Sequence, residues 1–224
     1  MIFGSRALDY GRMRVALFGG SFDPPHVGHQ LAALTVLETF PVDALWFVPV
    51  FQHAFDKQLA PYPHRLALCE LIANSLGPRA QVCRVEERLQ KPSYTLRMVR
   101  TLQQDHPGHQ FSLVVGSDLL RERERWWGFA ELSRLLPFLV LPRAGAEADQ
   151  TCRLLPTDVF HPERLVLPPV SSTEVRAALH RGTAPTGWVS RRVLDYIAQH
   201  ALYAPGKGTE PAGQPNQPSP KDLS

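Results

Sequence analysis

Cysteine is scarce in this sequence of 224 residues, which contains only Cys69, Cys83 and Cys152. The three are odd in number, far apart and never spaced as Cys-x-x-Cys, so a disulfide framework and a zinc site of that type are disfavoured. Residues 1–12 lack the basic start and apolar run of a signal peptide, and no uncharged apolar stretch is long enough to cross a bilayer. We therefore expect a cytoplasmic protein with buried thiols and no membrane partner.

The chain also lacks a large excess of positive or negative charge. The 24 Lys and Arg residues nearly balance the 21 Asp and Glu residues, the net charge is +3, and the basic residues form no continuous run. A nucleic-acid partner is therefore not expected. The 44% hydrophobic and 20% charged residues are typical of a globular protein, and the length suffices for one α/β domain with a core.

Short apolar runs alternate with segments of helical periodicity along the middle of the chain. Strands are predicted at residues 13–18, 43–50, 81–85, 111–115, 138–141 and 164–167. Helices are predicted at residues 27–40, 63–76, 94–104, 172–181 and 189–200. This alternation favours a Rossmann-like, doubly wound and mainly parallel sheet with flanking helices. Such a sheet binds ligands at the carboxyl ends of its strands.

The two ends of the chain differ from the middle. Residues 204–224 are dense in proline, glycine and polar residues and contain no aromatic side chain, so they cannot offset their ordering entropy by burial. We expect one folded domain at residues 13–203, preceded by an extension at residues 1–12 and followed by a disordered tail at residues 204–224.

The segment after the first predicted strand, Gly19 to His29, reads GGSFDPPHVGH. Gly19 and Gly20 would let the chain turn tightly and bring backbone N–H groups close to a phosphate. The helix start near Val27 would offer unpaired N–H donors and a partial positive charge to the same anion. His26 and His29 would lie on one side of the first turn and donate to oxygens of a reacting phosphoryl group.

The histidine pair could also have a structural role or bind a metal ion. A histidine pair at a helix start commonly only caps or packs, and two histidines without a third ligand make a poor metal site. The strand, the glycine pair and the helix start around His26 and His29 favour phosphate chemistry. No Gly-Lys-Ser/Thr follows the glycines, so the loop is not a Walker loop.

The motif SSTEVR marks a second helix start. Ser171 and Glu174, three positions apart, have the pattern of a capping box, which by itself is common. Ser172, Thr173 and Arg176 add hydroxyl groups and a guanidinium to this start. That combination suits the β- and γ-phosphates of a triphosphate.

Two further places could contact a nucleotide. Gly116 and Asp118 follow the strand at 111–115, where Asp118 could bind ribose hydroxyl groups or simply cap the next helix. Trp126 and Trp127 could stack on an electron-poor ring or fill the core.

The two motifs resemble those of a known family. GGSFDPPHVGH is similar to the HxGH signature of the nucleotidyltransferase superfamily, and in its full form to that of bacterial nicotinate-nucleotide adenylyltransferases. SSTEVR is similar to the SSTxxR motif of the same family, and the resemblance spans about Met13 to Tyr203. It implies an enzyme of NAD biosynthesis whose partners are ATP and a mononucleotide. Such an enzyme joins nicotinate mononucleotide to the AMP moiety of ATP and releases pyrophosphate, with Mg²⁺ accompanying ATP.

The resemblance also implies residue roles. His26 and His29 would bind ATP phosphates and stabilise the transition state, without a covalent enzyme intermediate. The implied ATP-binding residues are Gly19, Gly20, Ser21, Phe22, His26, His29, Lys57, Gly116, Asp118, Ser171, Ser172, Thr173 and Arg176. The implied acceptor-binding residues are Tyr94, Thr95, Asp118, Trp126 and Trp127. Among these, Ser93-Tyr94-Thr95 resembles the family's Ser-Tyr-Thr, whose threonine supplies contacts to the nicotinate carboxylate. Trp126-Trp127 resembles the Trp-aromatic pair that the family uses around the nicotinate ring.

The sequence departs from the family at two places. Arg97 and Met98 stand where the family has Asp-Thr, and PVFQHAFDKQLAP stands where it has a Pro-Pro-His-Lys segment. In that second segment Lys57 can serve the phosphate, and His53 is a weaker candidate. The acceptor therefore stays open.

Other functions were compared with this one. Phosphopantetheine adenylyltransferases share a similar loop, but they are shorter and lack the tryptophan pair. Another phosphorylated acceptor is also open. A catalytically silent nucleotide sensor is the alternative from a different class, and the intact His26, His29, Ser172 and Arg176 disfavour it. The oligomeric state does not follow from the sequence.

Overall fold

A computed structural model describes the chain at residues 11–52, 59–91, 93–117, 119, 123, 126–141 and 167–204. The strands are β1 Arg14–Gly20, β2 Ala44–Pro49, β3 Ala80–Val82, β4 Gln110–Gly116 and β5 Phe138–Leu141. The helices are α1 Val27–Thr39, α2 Tyr62–Leu76, α3 Thr95–Asp105, α4 Phe129–Leu135, α5 Ser172–His180 and α6 Arg191–Gln199. A 3-10 turn spans Val85–Arg88.

The five strands form one parallel sheet in the order β3-β2-β1-β4-β5. The chain first builds outward from β1 to β3 and then returns to place β4 on the other side of β1, so the order reverses between β1 and β4. The predicted Rossmann-like sheet is confirmed. The carboxyl ends of β1 and β4 form the switch point at which such sheets bind ligands.

Helices cover both faces of the sheet because β1 is apolar on both sides. Ala16 belongs to one core, which α1, α2, α5 and α6 complete. Its neighbours Val15 and Leu17 belong to a second core, completed by α3 and α4. All three residues are fully buried, which fixes β1 as the centre of the molecule.

Most of the predicted elements are present, with three differences. The strand expected at 81–85 ends at Val82, because the chain turns into the 3-10 helix at Val85. Helix α4 was not predicted, since its seven residues are too few to show a period. Of the strand expected at 164–167, only Leu167 lies within the described residues.

Several other expectations meet the structure only in part. Cys69 is buried and Cys83 is partly buried, and both are free thiols, whereas Cys152 lies outside the described residues. Most of the expected N-terminal extension and of the expected tail also lies outside them. Within the part of the chain that is described, no helix combines the length and the apolar character needed to cross a bilayer.

Candidate active site

The loop after β1 turns at Phe22 and not at the glycine pair. Gly19 and Gly20 are the last residues of β1 and pair with β2, whereas Phe22 has a φ of 47°, in the left-handed region. The expectation that the glycines make the turn is therefore wrong. Gly20 instead allows a close approach of the Phe22 ring, because a Cβ there would lie only 3.1 Å from it. At Gly19 a Cβ would meet no described atom within 4 Å, which leaves room for a ligand.

His26 and His29 lie together at the start of α1, as predicted. Their ring centroids are 3.8 Å apart, and His26 is buried. The backbone N–H of His26 donates to Nδ1 of His29 at 3.1 Å. Nδ1 therefore acts as an acceptor, so a neutral His29 ring carries its proton on Nε2. The pair both caps the helix and provides an Nε2–H donor.

Some N–H donors at the start of α1 are used within the protein. The Val27 N–H donates to the carbonyl oxygen of Trp188 at 2.7 Å, and the His29 N–H donates to that of His26 at 2.9 Å. Fewer N–H donors are therefore unpaired at the start of α1 than the sequence predicted, because the loop before α6 folds back onto the helix start. A phosphate at this position would depend more on side chains and on the helix dipole.

The capping box predicted at the start of α5 is present. The Glu174 N–H donates to Oγ of Ser171 at 3.2 Å, and the Ser171 N–H donates to the Glu174 carboxylate at 2.9 Å. These hydrogen bonds to Ser171 hold the pKa of Glu174 below its usual value. The helix therefore begins where its own sequence specifies.

The start of α5 docks on the loop after β1. The Ser172 hydroxyl donates to the carbonyl oxygen of Pro24 at 2.9 Å, across 148 positions of sequence. Nη1 of Arg176 donates to the carbonyl oxygen of Asp23 at 2.6 Å, and Nη2 lies 3.3 Å from Oγ1 of Thr173. The two sequence motifs, which lie far apart in the chain, are thus in direct contact. Ser172 and Arg176 hold the loop in addition to any role toward a phosphate.

Arg65 ties the loops after β1 and β2 together, and the sequence analysis did not single it out. Its guanidinium is fully buried and donates to four backbone carbonyl oxygens: those of Ser21 at 2.9 Å, Val50 at 2.7 Å, Ala60 at 2.9 Å and Phe51 at 3.2 Å. Burial lowers the pKa of this guanidinium. A buried cation surrounded by carbonyl oxygens fixes the shape of both loops.

Tyr94 and Trp127 come from distant parts of the chain and stack with ring centroids 5.1 Å apart. The guanidinium carbon of Arg97 lies 5.4 Å from the Tyr94 ring and 5.2 Å from the Trp127 ring. Trp127 is 49% exposed. Trp126 packs edge-on against Phe129 at the second core. The two tryptophans therefore have different surroundings: Trp127 stacks on Tyr94, whereas Trp126 packs against the second core.

Glu86 connects the loop after β2 with the segment before α3, and it too was missed. Its Oε2 accepts from the Phe51 N–H at 3.2 Å and from the Ser93 hydroxyl. The carboxyl group is buried, and this burial raises its pKa. Glu86 thereby fixes the chain immediately before Tyr94 and Thr95, where α3 begins.

Three predicted positions, Lys57, Asp118 and His53, lie outside the described residues. Gly116 ends β4 at the same edge of the sheet as the loop after β1. Among the described residues no cluster of three His, Cys, Asp or Glu side chains could hold a metal ion.

Comparison with known proteins agrees with this geometry. The cytidylyltransferase-like family model matches residues 17–178. The chain is 38% identical over 191 residues to the probable nicotinate-nucleotide adenylyltransferase of Myxococcus xanthus, with 85% of this chain and 95% of that protein covered. It is 37% identical over 195 residues to the protein of the same name from Salinibacter ruber, with 86% and 99% covered.

The fold is also found among solved structures. The Plasmodium falciparum nicotinic acid mononucleotide adenylyltransferase complexed with NaAD matches with a TM-score of 0.73 at 21% identity, over 86% of this chain and 98% of that one. The family model covers most of the chain, and the sequence relatives are matched over nearly their whole length. The chain therefore belongs to the cytidylyltransferase-like family and, within it, to the nicotinate-nucleotide adenylyltransferases, which are nucleotidyltransferases.

Proposed function

We propose that this chain transfers the adenylyl group of ATP to nicotinate mononucleotide and releases pyrophosphate, a step of NAD biosynthesis. The observation that carries the proposal is the contact of α5 with the loop after β1, through Ser172 and Arg176. The same loop leads into the His26–His29 pair. A triphosphate lying across this junction would meet the side chains of both motifs.

The chemistry requires little from the protein beyond alignment and charge stabilisation. A phosphate oxygen of the mononucleotide attacks the α-phosphorus in line, and the bond from that phosphorus to the bridging oxygen breaks as pyrophosphate leaves. The attacking monoester is already anionic at neutral pH, so no general base is needed. The Nε2–H of His29 donates to phosphoryl oxygens as their charge grows. Mg²⁺ accompanying ATP would supply charge neutralisation of the triphosphate.

The substituent of the pyridine ring distinguishes nicotinate from nicotinamide. Thr95 is the first residue of α3, where backbone N–H donors have no partner within the helix. A carboxylate accepts charge-assisted hydrogen bonds from such donors, whereas an amide would turn its own N–H donors toward them. Arg97, which lies against Tyr94 and Trp127, adds a positive charge beside the same helix start.

Pyrophosphate release tests the proposal, with ATP and either nicotinate mononucleotide, nicotinamide mononucleotide or phosphopantetheine. We expect kcat/KM for the nicotinate acceptor to exceed that for the nicotinamide acceptor by about a hundredfold, since the amide leaves polar groups unpaired. Because Trp127 is exposed and Trp126 packs at the core, Trp127→Ala should lower acceptor kcat/KM and leave the KM for ATP unchanged. Trp126→Ala is the matched control and should mainly lower stability.

Each outcome separates one alternative. Equal use of the two pyridine mononucleotides would contradict the nicotinate assignment. Turnover with phosphopantetheine alone would identify a different acceptor class. ATP binding without pyrophosphate release in any of the three reactions would indicate a nucleotide sensor.

A further inference from the structure

We propose that Tyr203, at the end of the described chain, is a positioning residue for ATP. Its hydroxyl donates to the buried carboxylate of Asp23, and Asp23 in turn holds the guanidinium of Arg176 at the loop after β1. The inference rests on the proposed function, because it assumes that Arg176 contacts the triphosphate.

Asp23 is the centre of this arrangement. It is 1% exposed and lies in the loop after β1, directly after Phe22 in its left-handed conformation. Its Oδ1 accepts from the Tyr203 hydroxyl at 2.6 Å and from the Ala60 N–H at 3.1 Å. Its Oδ2 lies 3.5 Å from Nη1 of Arg176. A buried carboxylate requires hydrogen-bond donors around it. When one donor is lost, the carboxylate attracts the remaining donors more strongly.

The guanidinium of Arg176 is attached to Asp23 at two places. Nη1 donates to the Asp23 carbonyl oxygen at 2.6 Å and lies near the Asp23 carboxylate as well. Nη2 lies 3.3 Å from Oγ1 of Thr173 on the same helix turn. The side chain is still 21% exposed, so part of it reaches the surface at the start of α5. The direction of the guanidinium is therefore set by Asp23.

Tyr203 is built to act as a permanent donor. Burial of its hydroxyl and the neighbouring Asp23 carboxylate raise the pKa of Tyr203 well above its usual value, so the hydroxyl is protonated at neutral pH. Its φ of 58° is in the left-handed region, which a tyrosine rarely adopts. The preceding residue is anchored by the hydrogen bond from the Leu202 N–H to the Ile197 carbonyl oxygen at 3.0 Å.

Removal of the hydroxyl would unbalance the carboxylate. Oδ1 of Asp23 would lose its shortest hydrogen bond, and Arg176 would remain as the nearest mobile donor able to compensate. The guanidinium would then be drawn inward and away from an incoming triphosphate. The acceptor side, formed around Tyr94 and Trp127, would be unaffected because it shares no contact with Asp23 among the described residues.

Tyr203→Phe removes one oxygen and keeps the ring. We expect the KM for ATP to rise about tenfold, the effect of one hydrogen bond to a charged group, with kcat and the KM for the acceptor within about twofold of wild type. Tyr196→Phe is the matched control. It removes a hydroxyl from α6 that contacts Nδ1 of His64 at 3.0 Å, away from Asp23. It should leave the KM for ATP unchanged.

A double-mutant cycle separates positioning from a purely structural role. If Tyr203 acts through Arg176, Tyr203→Phe should add little to the ATP KM of Arg176→Ala. Additive effects, equal effects of Tyr203→Phe and Tyr196→Phe, or a lower Tm with an unchanged ATP KM would overturn the inference. ATP affinity measured by calorimetry without acceptor gives the same comparison if nicotinate mononucleotide is not the acceptor. Failure of the proposed function and failure of this inference are therefore distinguishable.

Discussion

The two ring nitrogens of His29 face different tasks. Nδ1 accepts the His26 N–H at 3.1 Å and closes the first turn of α1. The proton of the neutral ring then lies on Nε2, the atom that we propose donates to a phosphoryl oxygen. His29 thus caps the helix through Nδ1, and its proposed donation to substrate uses the other nitrogen, so the two roles can be separated by substitution.

His29→Asn should separate them, because the asparagine amide oxygen can replace Nδ1 as the acceptor but nothing replaces Nε2. We expect a variant with near-wild-type thermal unfolding whose kcat is lower by about 10²–10³, the effect of losing one preorganised donor. His29→Ala should lose the cap as well. We expect its free energy of unfolding to fall by about 1 kcal/mol, and its unfolding temperature to fall with it. Steady-state kinetics with thermal unfolding provide the check. Normal turnover by folded His29→Asn would exclude a phosphoryl-stabilising role.

Helix α1 follows the loop after β1 and the start of α5 docks on the same loop, yet the first turns of the two helices differ in charge. The first turn of α1 has no acidic residue, whereas that of α5 contains Glu174 as part of its capping box. A carboxylate at a helix start offsets the positive end of the dipole. We therefore expect the dipole of α1 to attract an anion more strongly than the dipole of α5.

Gly28 is the position at which this helix start excludes a side chain. A Cβ there would lie 3.0 Å from two atoms of the His26 ring, so Gly28→Ala should displace the imidazole. Alanine stabilises a helix relative to glycine by about 1 kcal/mol, which opposes the cost of the contact with the His26 ring. We therefore expect little change in the free energy of unfolding. We expect kcat to fall about tenfold because the ring moves. Leu34→Ala, on the exposed face of α1, is the control and should leave kcat unchanged. Wild-type kcat in Gly28→Ala would show that the ring position is not critical.

At the scale of the whole molecule, the limits of the folded unit can be tested by truncation. The buried hydrophobic residues of the described chain lie between Val15 and Ile197. Tyr203 makes a further contact, with Asp23 in the loop after β1. We propose that residues 13–203 form a complete domain, which should unfold cooperatively and retain full activity. A chain of residues 13–200 keeps α6 but lacks Leu202 and Tyr203. It should unfold at a lower temperature and have a higher KM for ATP.

Thermal unfolding and ATP kinetics on the two truncated chains provide the measurement. Loss of cooperative unfolding in the 13–203 chain would show that residues beyond these limits pack against the domain. Identical behaviour of the two chains would contradict the role given to the last turn.

The sequence by itself determined the features that depend on neighbouring residues. Strand β5 is four consecutive apolar residues, and the capping box of α5 needs only Ser171 and Glu174. The same holds for GGSFDPPHVGH and SSTEVR, because each motif is contiguous and the helix start that it marks follows from neighbouring residues. The alternation of strands and helices then specifies the doubly wound sheet, since parallel strands require crossover helices.

Only the tertiary structure decided which distant groups meet. Trp126 and Trp127 are adjacent in the chain, but Trp126 packs against a core and Trp127 stacks on Tyr94. Phe22 makes the turn that the sequence predicted at the glycine pair. The contact between Tyr203 and Asp23 joins residues 180 positions apart. Separation along the chain carries no information about such contacts, because they depend on how helices on the two faces pack against the sheet. Buried polar groups such as Asp23 acquire their partners only when that packing removes them from water.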